Sequence, residues 1–215
     1  MLKKIITSIL LLATMVSSAV AAQTATVEKS KLQLSENDFP KGRQYDNWED
    51  WLDYMNLYQP LNITKFGTIY IMKVDDSQVV YPDKSDNQYL PLYRGISSFN
   101  QYLEKELNEK FPHIKVVQVE SFDELQMKDN SLLLVPKFDK VDMGSRAARV
   151  WIGFGAGAQK MRVSGYVVDN EGRFYYNFWH QRVSTRNKKY DKMVENSMEE
   201  LSEDFILIFE KLIRY

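Results

Sequence analysis

The chain has 215 residues, 44% hydrophobic and 13% aromatic, with 28 Lys and Arg against 29 Asp and Glu and no cysteine. A net charge of −1 offers no basic excess to neutralise a phosphate backbone, which argues against nucleic acid as a partner. The absence of cysteine excludes disulfides, thiolate nucleophiles, Cys-ligated metals and a lipid on an N-terminal cysteine.

The N-terminus, MLKKIITSILLLATMVSSAVAA, sets Lys3 and Lys4 before an apolar run from Ile5 to Val16 and closes on an Ala-x-Ala site. This is the layout of a secretory signal peptide over 1–21, cut before Ala22, and the run is well short of the roughly 20 residues that span a bilayer. Without it 26 basic and 29 acidic residues remain, a net charge of −3. The mature chain is expected in the periplasm of a Gram-negative bacterium, free or associated with the outer membrane, with no integral membrane span after cleavage. Residues 22–43 read as a flexible polar tether and 44–215 as a single α+β domain.

In RQYDNWEDWLDYMNLYQP, Asp46 and Glu49 make a D-x-x-E start, Trp48, Trp51, Leu52 and Met55 share one helical face, and Pro60 stops it. An accessory N-terminal helix is therefore expected. Its side with Glu49, Asp50 and Asp53 should face water. Trp48 and Trp51 either pack on the domain's own core, the simpler use, or form a partner-binding stripe.

GTIYIMKVD, residues 67–75, predicts the first strand of the main body. The 75–95 stretch that follows reads as a long loop, able to act as a lid over a small ligand; its Asp75, Asp76, Asp83 and Asp86 lack the glycine and terminal Glu of a calcium loop. A helix is expected from Ser97 to Phe111, with Ser98 and Gln101 as a capping box, Ile96, Phe99, Leu103 and Leu107 on one side and Pro112 at its end. Strands follow at 114–120 and 131–141, the second carrying Pro136 and so expected at an edge or a bulge.

Asn170-Glu171-Gly172 between two alternating runs, 160–169 and 172–184, predicts a hairpin. From Lys188 to Arg214 a last helix aligns Val194, Met198, Leu201, Phe205, Ile208 and Leu212 to cover the sheet, with Glu199, Glu200, Glu203 and Asp204 as its solvated acidic side. The fold class is α+β: a mixed or antiparallel sheet with two helices on one face in β-α-β-β-β-β-α order, plus the accessory helix. On the second hairpin strand, alternation places Tyr175 and Trp179 on one face and Phe174, Tyr176 and Phe178 on the other. Something inside the domain covers the second aromatic face, or it is an interface.

GSRAARVWIGFGAGAQKMRV, residues 144–163, contains Gly153, Gly155 and Ala158 in G-x-G-x-x-A spacing. A dinucleotide site needs a helix N-terminus after the glycines to receive the pyrophosphate, and here a strand follows instead. Gly153, Gly155 and Gly157 are better read as a tight crossing or bulged turn that feeds that strand. Arg146 and Arg149 precede them, either as a clamp for an anion or a partner's carboxylate, or as structural arginines bonding loop carbonyls, Asp139 or Asp142.

Gly-Ser-Arg-Ala-Ala-Arg, then Gly-Phe-Gly-Ala-Gly, then the M-R-V-S-G-Y-V-V-D strand resembles a bacterial family of exported proteins and lipoproteins without an assigned function. That family is similar, distantly, to the curli-secretion channel lipoprotein and to outer-membrane lipoprotein activators of peptidoglycan synthases. The resemblance is specific over 144–184 and extends by element order over 67–213. It implies an α+β domain of envelope adaptors and secretion subunits and carries over no catalytic residue. The chain departs from the family in lacking the lipid-bearing cysteine and in its Trp-rich N-terminal segment.

No nucleophile elbow, zinc-protease motif or other catalytic constellation is present, and the two histidines read as a turn residue, His113, and a partly buried strand residue, His180. The expectation is a non-catalytic envelope adaptor without cofactor or metal, acting on another envelope protein or on itself. Arg146, Arg149, Gly153, Gly155, Gly157, Tyr175, Trp179, Trp48 and Trp51 are the candidate contact residues. A small-ligand or anion binder and a subunit of an oligomeric outer-membrane secretion assembly are the alternatives.

Overall fold

Where the sequence predicts an accessory helix, the chain makes a β-hairpin. Strand β1 (Arg43–Trp48) pairs antiparallel with β2 (Leu52–Leu57), Arg43 opposite Leu57 and Trp48 opposite Leu52. Of the expected D-x-x-E start, Asp46 lies in β1 opposite Tyr54 and Glu49 in the turn; Asn47, Glu49 and Asp50 take φ of 53°, 53° and 65°, a left-handed region in which Asn and Asp are enriched. An isolated helix this short is marginal in water, whereas β2 gains a whole ladder by pairing with the last strand of the sheet. Trp48 is 2% exposed in the core cluster and Trp51 packs against that cluster.

The computed structural model describes residues 39–145, 157–184 and 189–214. The expected signal peptide, most of the expected tether, and Arg146, Arg149, Gly153 and Gly155 lie outside the described residues. After the hairpin come β3 (Thr68–Met72), α1 (Tyr89–Ser97), α2 (Phe99–Lys110), β4 (Lys115–Val119), β5 (Ser131–Asp142), β6 (Gln159–Asp169), β7 (Phe174–Ser184) and α3 (Tyr190–Leu212). The seven strands form one mixed sheet in the order β1-β2-β7-β6-β5-β3-β4, with β3 parallel to β4 and β5 and the other pairs antiparallel. From β3 onward the order is the expected one, except that the first helix is two helices.

The joint between α1 and α2 is Ser98, at φ −94° and ψ −1°. Its N–H still bonds the carbonyls of Arg94 and Gly95 and its hydroxyl caps nothing, so the expected capping box does not form. Helix α1 occupies the end of the stretch expected to be a loop. Pro136, expected at an edge or a bulge, lies in the interior strand β5, in register with Gly165, and is tolerated for a local reason. The β3 ladder ends at Ile71 opposite Leu134, and Asp75 N–H donates to the Pro136 carbonyl across the gap beyond it. Because N and O of a strand residue point the same way, the missing proline donor faces that gap; two residues later the β5–β6 register slips between Phe138 and Lys140.

Helical ring contacts fall on one sheet face. Phe99 lies 5.1 Å from Phe138 and 5.7 Å from Phe205, Phe205 stands edge-on to Phe178 at 4.6 Å, and Phe209 meets Tyr176 at 5.9 Å. The seam expected on the last helix is buried throughout, from Val194 to Leu212, each such side chain contributing about 1.5–3 kcal/mol. One strand departs from simple alternation. Val167 pairs with Tyr176 but Val168 with Phe174, so Tyr175 is the extra residue of a bulge. Phe174 thereby joins Tyr166 and Tyr58, at 5.8 and 6.1 Å, while Tyr175 turns into the core against Phe66 and bonds Asp169 Oδ2 through its hydroxyl. The expected face assignment is therefore reversed for Phe174 and Tyr175 and kept for Trp179, Tyr176 and Phe178.

Candidate interaction surface

Ladder pairing assigns residues to the face opposite the helices. One row across the sheet is Asp46, Tyr54, Trp179, Ser164 and Lys137; the next is Gln44, Asn56, Asn177, Tyr166 and Val135. Paired residues of a row stand side by side on one face, so these rows present rings, amides and hydroxyls together. Tyr54, Tyr58, Phe174, Asn177 and Trp179 are half-buried, as large side chains are on a sheet face with no helix over it.

Two networks hold this face rigid. Arg162 lays its guanidinium carbon 4.0 Å above the Trp179 ring, with Nε 3.7 Å from Asp139 Oδ2, and Asp139 Oδ1 accepts the Ser164 hydroxyl at 3.0 Å. Asn56 Nδ2 donates to the Tyr58 hydroxyl, which donates to Asn177 Oδ1 at 2.7 Å. Burial, and then the neighbouring Tyr54, push the Tyr58 hydroxyl well above its ordinary value against the opposing Asn56 hydrogen bond, so it stays a neutral donor. Burial and then Asp46 raise Tyr54 as well.

At one end of this face the chain between β5 and β6 leaves and returns through a pinched neck. Gly144 and Gly157 take φ of 64° and 68°, Ser145 N–H donates to the Gly157 carbonyl at 3.1 Å, and a Cβ on Gly144 would come within 2.2 Å of that oxygen. Gly157 thus makes the tight crossing expected of the glycine segment, with Gly144 as its partner. The element that follows is strand β6, which supplies no helix N-terminus for a dinucleotide.

A second polar cluster lies between sheet and helices, and it corrects two expectations. Asp53 and Asp204, both read as solvated, flank buried His180: Nδ1 is 2.7 Å from Asp53 Oδ2 and Nε2 is 3.3 Å from Asp204 Oδ2. Asp53 Oδ2 also accepts the Gln181 amide at 2.8 Å, and Arg182 grips Asp204 with two bonds of 2.7 and 2.6 Å. Burial pushes the Asp204 carboxyl up, but His180 and the Arg182 fork outweigh it and hold it below the usual carboxylate range. The carboxylates sit at opposite ring nitrogens and cannot converge on one ion with the imidazole, and no group of three or more His, Cys, Asp or Glu among the described residues could hold a metal. The cluster ties β2, β7 and α3 together. Both signals were in the sequence: Asp204 lies on the apolar stripe with Leu201 and Ile208, and His180 and Arg182 alternate with the face of Tyr176 and Phe178.

Of the expected contact residues, Trp179 is on the open face, Gly157 is at the neck beside it, and Tyr175, Trp48 and Trp51 belong to the core or its margin. Tyr54, Asn56, Tyr58, Arg162 and Asn177 complete the face and were not singled out from sequence. No helix among the described residues is long and apolar enough to cross a membrane.

These features define an α+β domain with one sheet face left open by its helices. The family model described as Domain of unknown function (DUF4410) matches residues 92–198, from α1 into α3. At the level of a family without an assigned function, this agrees with the resemblance seen in residues 144–184. The chain is similar to a PelC dodecamer from Paraburkholderia phytofirmans at 8% identity and a TM-score of 0.42, covering 69% of this chain and 94% of that one. It is similar to the PelC L103M dodecamer from the same organism at 8% identity and a TM-score of 0.40, covering 69% and 93%. No curated protein matches the chain.

Proposed function

We propose that this protein is an exported, non-catalytic binding subunit of the bacterial cell envelope, folded as one domain over 44–215 and acting by protein–protein contact through the open face of its sheet. The observation that carries the reading is that face: Trp179 under the Arg162 guanidinium, beside the Asn56–Tyr58–Asn177 hydrogen-bond string. Aromatic rings and arginine held in place, with amides between them, are the composition of interface anchors, because little conformational freedom is lost on binding. Export is supported by the signal-peptide pattern of residues 1–21. Arg146 and Arg149, which lie outside the described residues, are kept as further proposed contact residues on the strength of the sequence alone.

Recovery of envelope proteins on the purified chain tests this reading. Trp179→Ala is expected to lose a discrete partner while its thermal melt stays that of a folded protein. Unchanged recovery would contradict the reading.

A second reading, a subunit of an assembly of identical copies, is favoured by one observation: opposite charges are gathered on opposite sides of the domain.

A further inference from the structure

Near the neck the open face turns cationic. The next two rows there are Lys140, Arg162, Gln181 and Asp142, Lys160, Val183. Lys140 and Lys160 are exposed, and Val183, opposite Lys160 on β7, is 52% exposed. Lys137, Lys140, Lys160 and Arg162 outnumber the acids of this region, Asp139, which Lys137 and Arg162 approach at 3.8 and 3.7 Å, and Asp142, which accepts the Gly144 amide at 2.8 Å. The result is a basic strip on β5 and β6 beside Trp179 and Val183 of β7.

The outer side of the helical layer is the reverse. Along α3, Glu195, Glu199 and Glu203 repeat every four residues, and α2 presents Glu106 and Glu109 beside them. Their proximity is felt electrostatically. Tyr102 is raised by burial and then by Glu195 and Glu199, and Glu106 is raised by burial and further by Glu109 and Glu203, with Lys105 opposing. The lysines here are already engaged, Lys192 with Glu195 at 2.6 Å and Lys105 with Glu106 at 3.7 Å. Lys192 answers Glu195 from within the same helix, whereas Glu199 and Glu203 are exposed four residues apart and repel each other.

We infer that the basic, Trp179-centred face of one copy docks on the acidic α2–α3 layer of a second copy, head to tail. This rests on the proposed contact role of the open face and names its occupant. The two surfaces lie on opposite sides of the sheet, so the contact is heterologous: each copy offers one face to the copy ahead and the other to the copy behind, and repetition gives a ring if the rotation closes. A foreign anionic polymer would satisfy the cations but leave exposed Glu199 and Glu203 unanswered, whereas a second copy answers both.

Charge reversal on the two faces tests the pairing. Lys140→Glu with Lys160→Glu, and separately Glu199→Lys with Glu203→Lys, alter exposed side chains outside the core. The mature wild-type chain is expected to assemble at low salt and to dissociate as salt rises, by native mass spectrometry and light scattering. Each variant alone should assemble at least about tenfold more weakly, equivalent to about 1.4 kcal/mol, and the two mixed should assemble again, because each restores opposite charge against the other. A monomeric wild type, a variant that assembles as well as wild type, or a mixture that does not recover would overturn the pairing. A monomer that still recovers a foreign partner in a Trp179-dependent way would sink this inference alone and leave the contact role standing. Lys140/Lys160-dependent binding to an anionic polysaccharide without self-association would do the same.

Discussion

The Arg162 guanidinium lies 4.0 Å over the ring of Trp179, its diagonal neighbour across β6 and β7, where Arg162 pairs with Gln181 and Trp179 with Ser164. A stacked guanidinium at a half-exposed site is worth about 0.5–1 kcal/mol. Arg162→Ala should lower stability by about that amount in urea titration and alter the Trp179 fluorescence. Arg162→Lys should recover only part of it, because a planar fork stacks where an ammonium does not.

The His180 cluster should matter far more. Asp204→Asn leaves buried His180 and half-exposed Arg182 without their shared carboxylate, and loss of such charge-assisted hydrogen bonds costs about 1.5–3 kcal/mol. The pH dependence follows from the lowered Asp204 carboxyl. Its stabilisation is fully present above the ordinary carboxylate value and is lost as pH falls through the depressed folded value. The wild-type and Asp204→Asn stabilities, measured by urea titration from neutral pH into acid, should therefore converge as pH drops. A gap that stays constant into that acid range would contradict the assignment.

At the neck, Gly144→Ala combines a positive φ with a contact of 2.2 Å to the Gly157 carbonyl, and should destabilise by about 2 kcal/mol or more. Gly67 has nothing within 4 Å of where a Cβ would sit. Gly67→Ala is expected to be neutral or to stabilise by up to about 1 kcal/mol, since it restricts only the unfolded chain. Thermal melts of the two variants should move in opposite directions or differ by the whole Gly144 penalty.

Long periodic stretches were legible in the sequence because many residues voted for one period. The 23-residue α3 seam and the β6–β7 hairpin are such cases. The Trp48 tract was not, because in so short a run the positions 48, 51, 52 and 55 fit a helical face as well as a twisted hairpin, and pairing with β7 decided between them. The open face was half legible: Trp179 was visible from alternation, but a single bulge at Tyr175 exchanged Phe174 and Tyr175 between faces, and no local pattern announces a bulge. Arg162, Tyr58 and Asn177 needed the strand order, since a surface assembled from β2, β6 and β7 is scattered over more than a hundred positions of the chain. Asp204 was misjudged because its acidic neighbours outweighed the apolar stripe it shares with Leu201 and Ile208, and Asp53 because the helical face it was assigned to is a hairpin strand.

The most direct measurement of the central claim is photo-crosslinking in intact cells, with a photoreactive phenylalanine analogue at Asn177 on the open face and, separately, at exposed Asp83 as a control. The account predicts discrete protein adducts from position 177 and none from position 83. No adduct from position 177, or the same diffuse pattern from both, would contradict a contact role for the open face of the sheet.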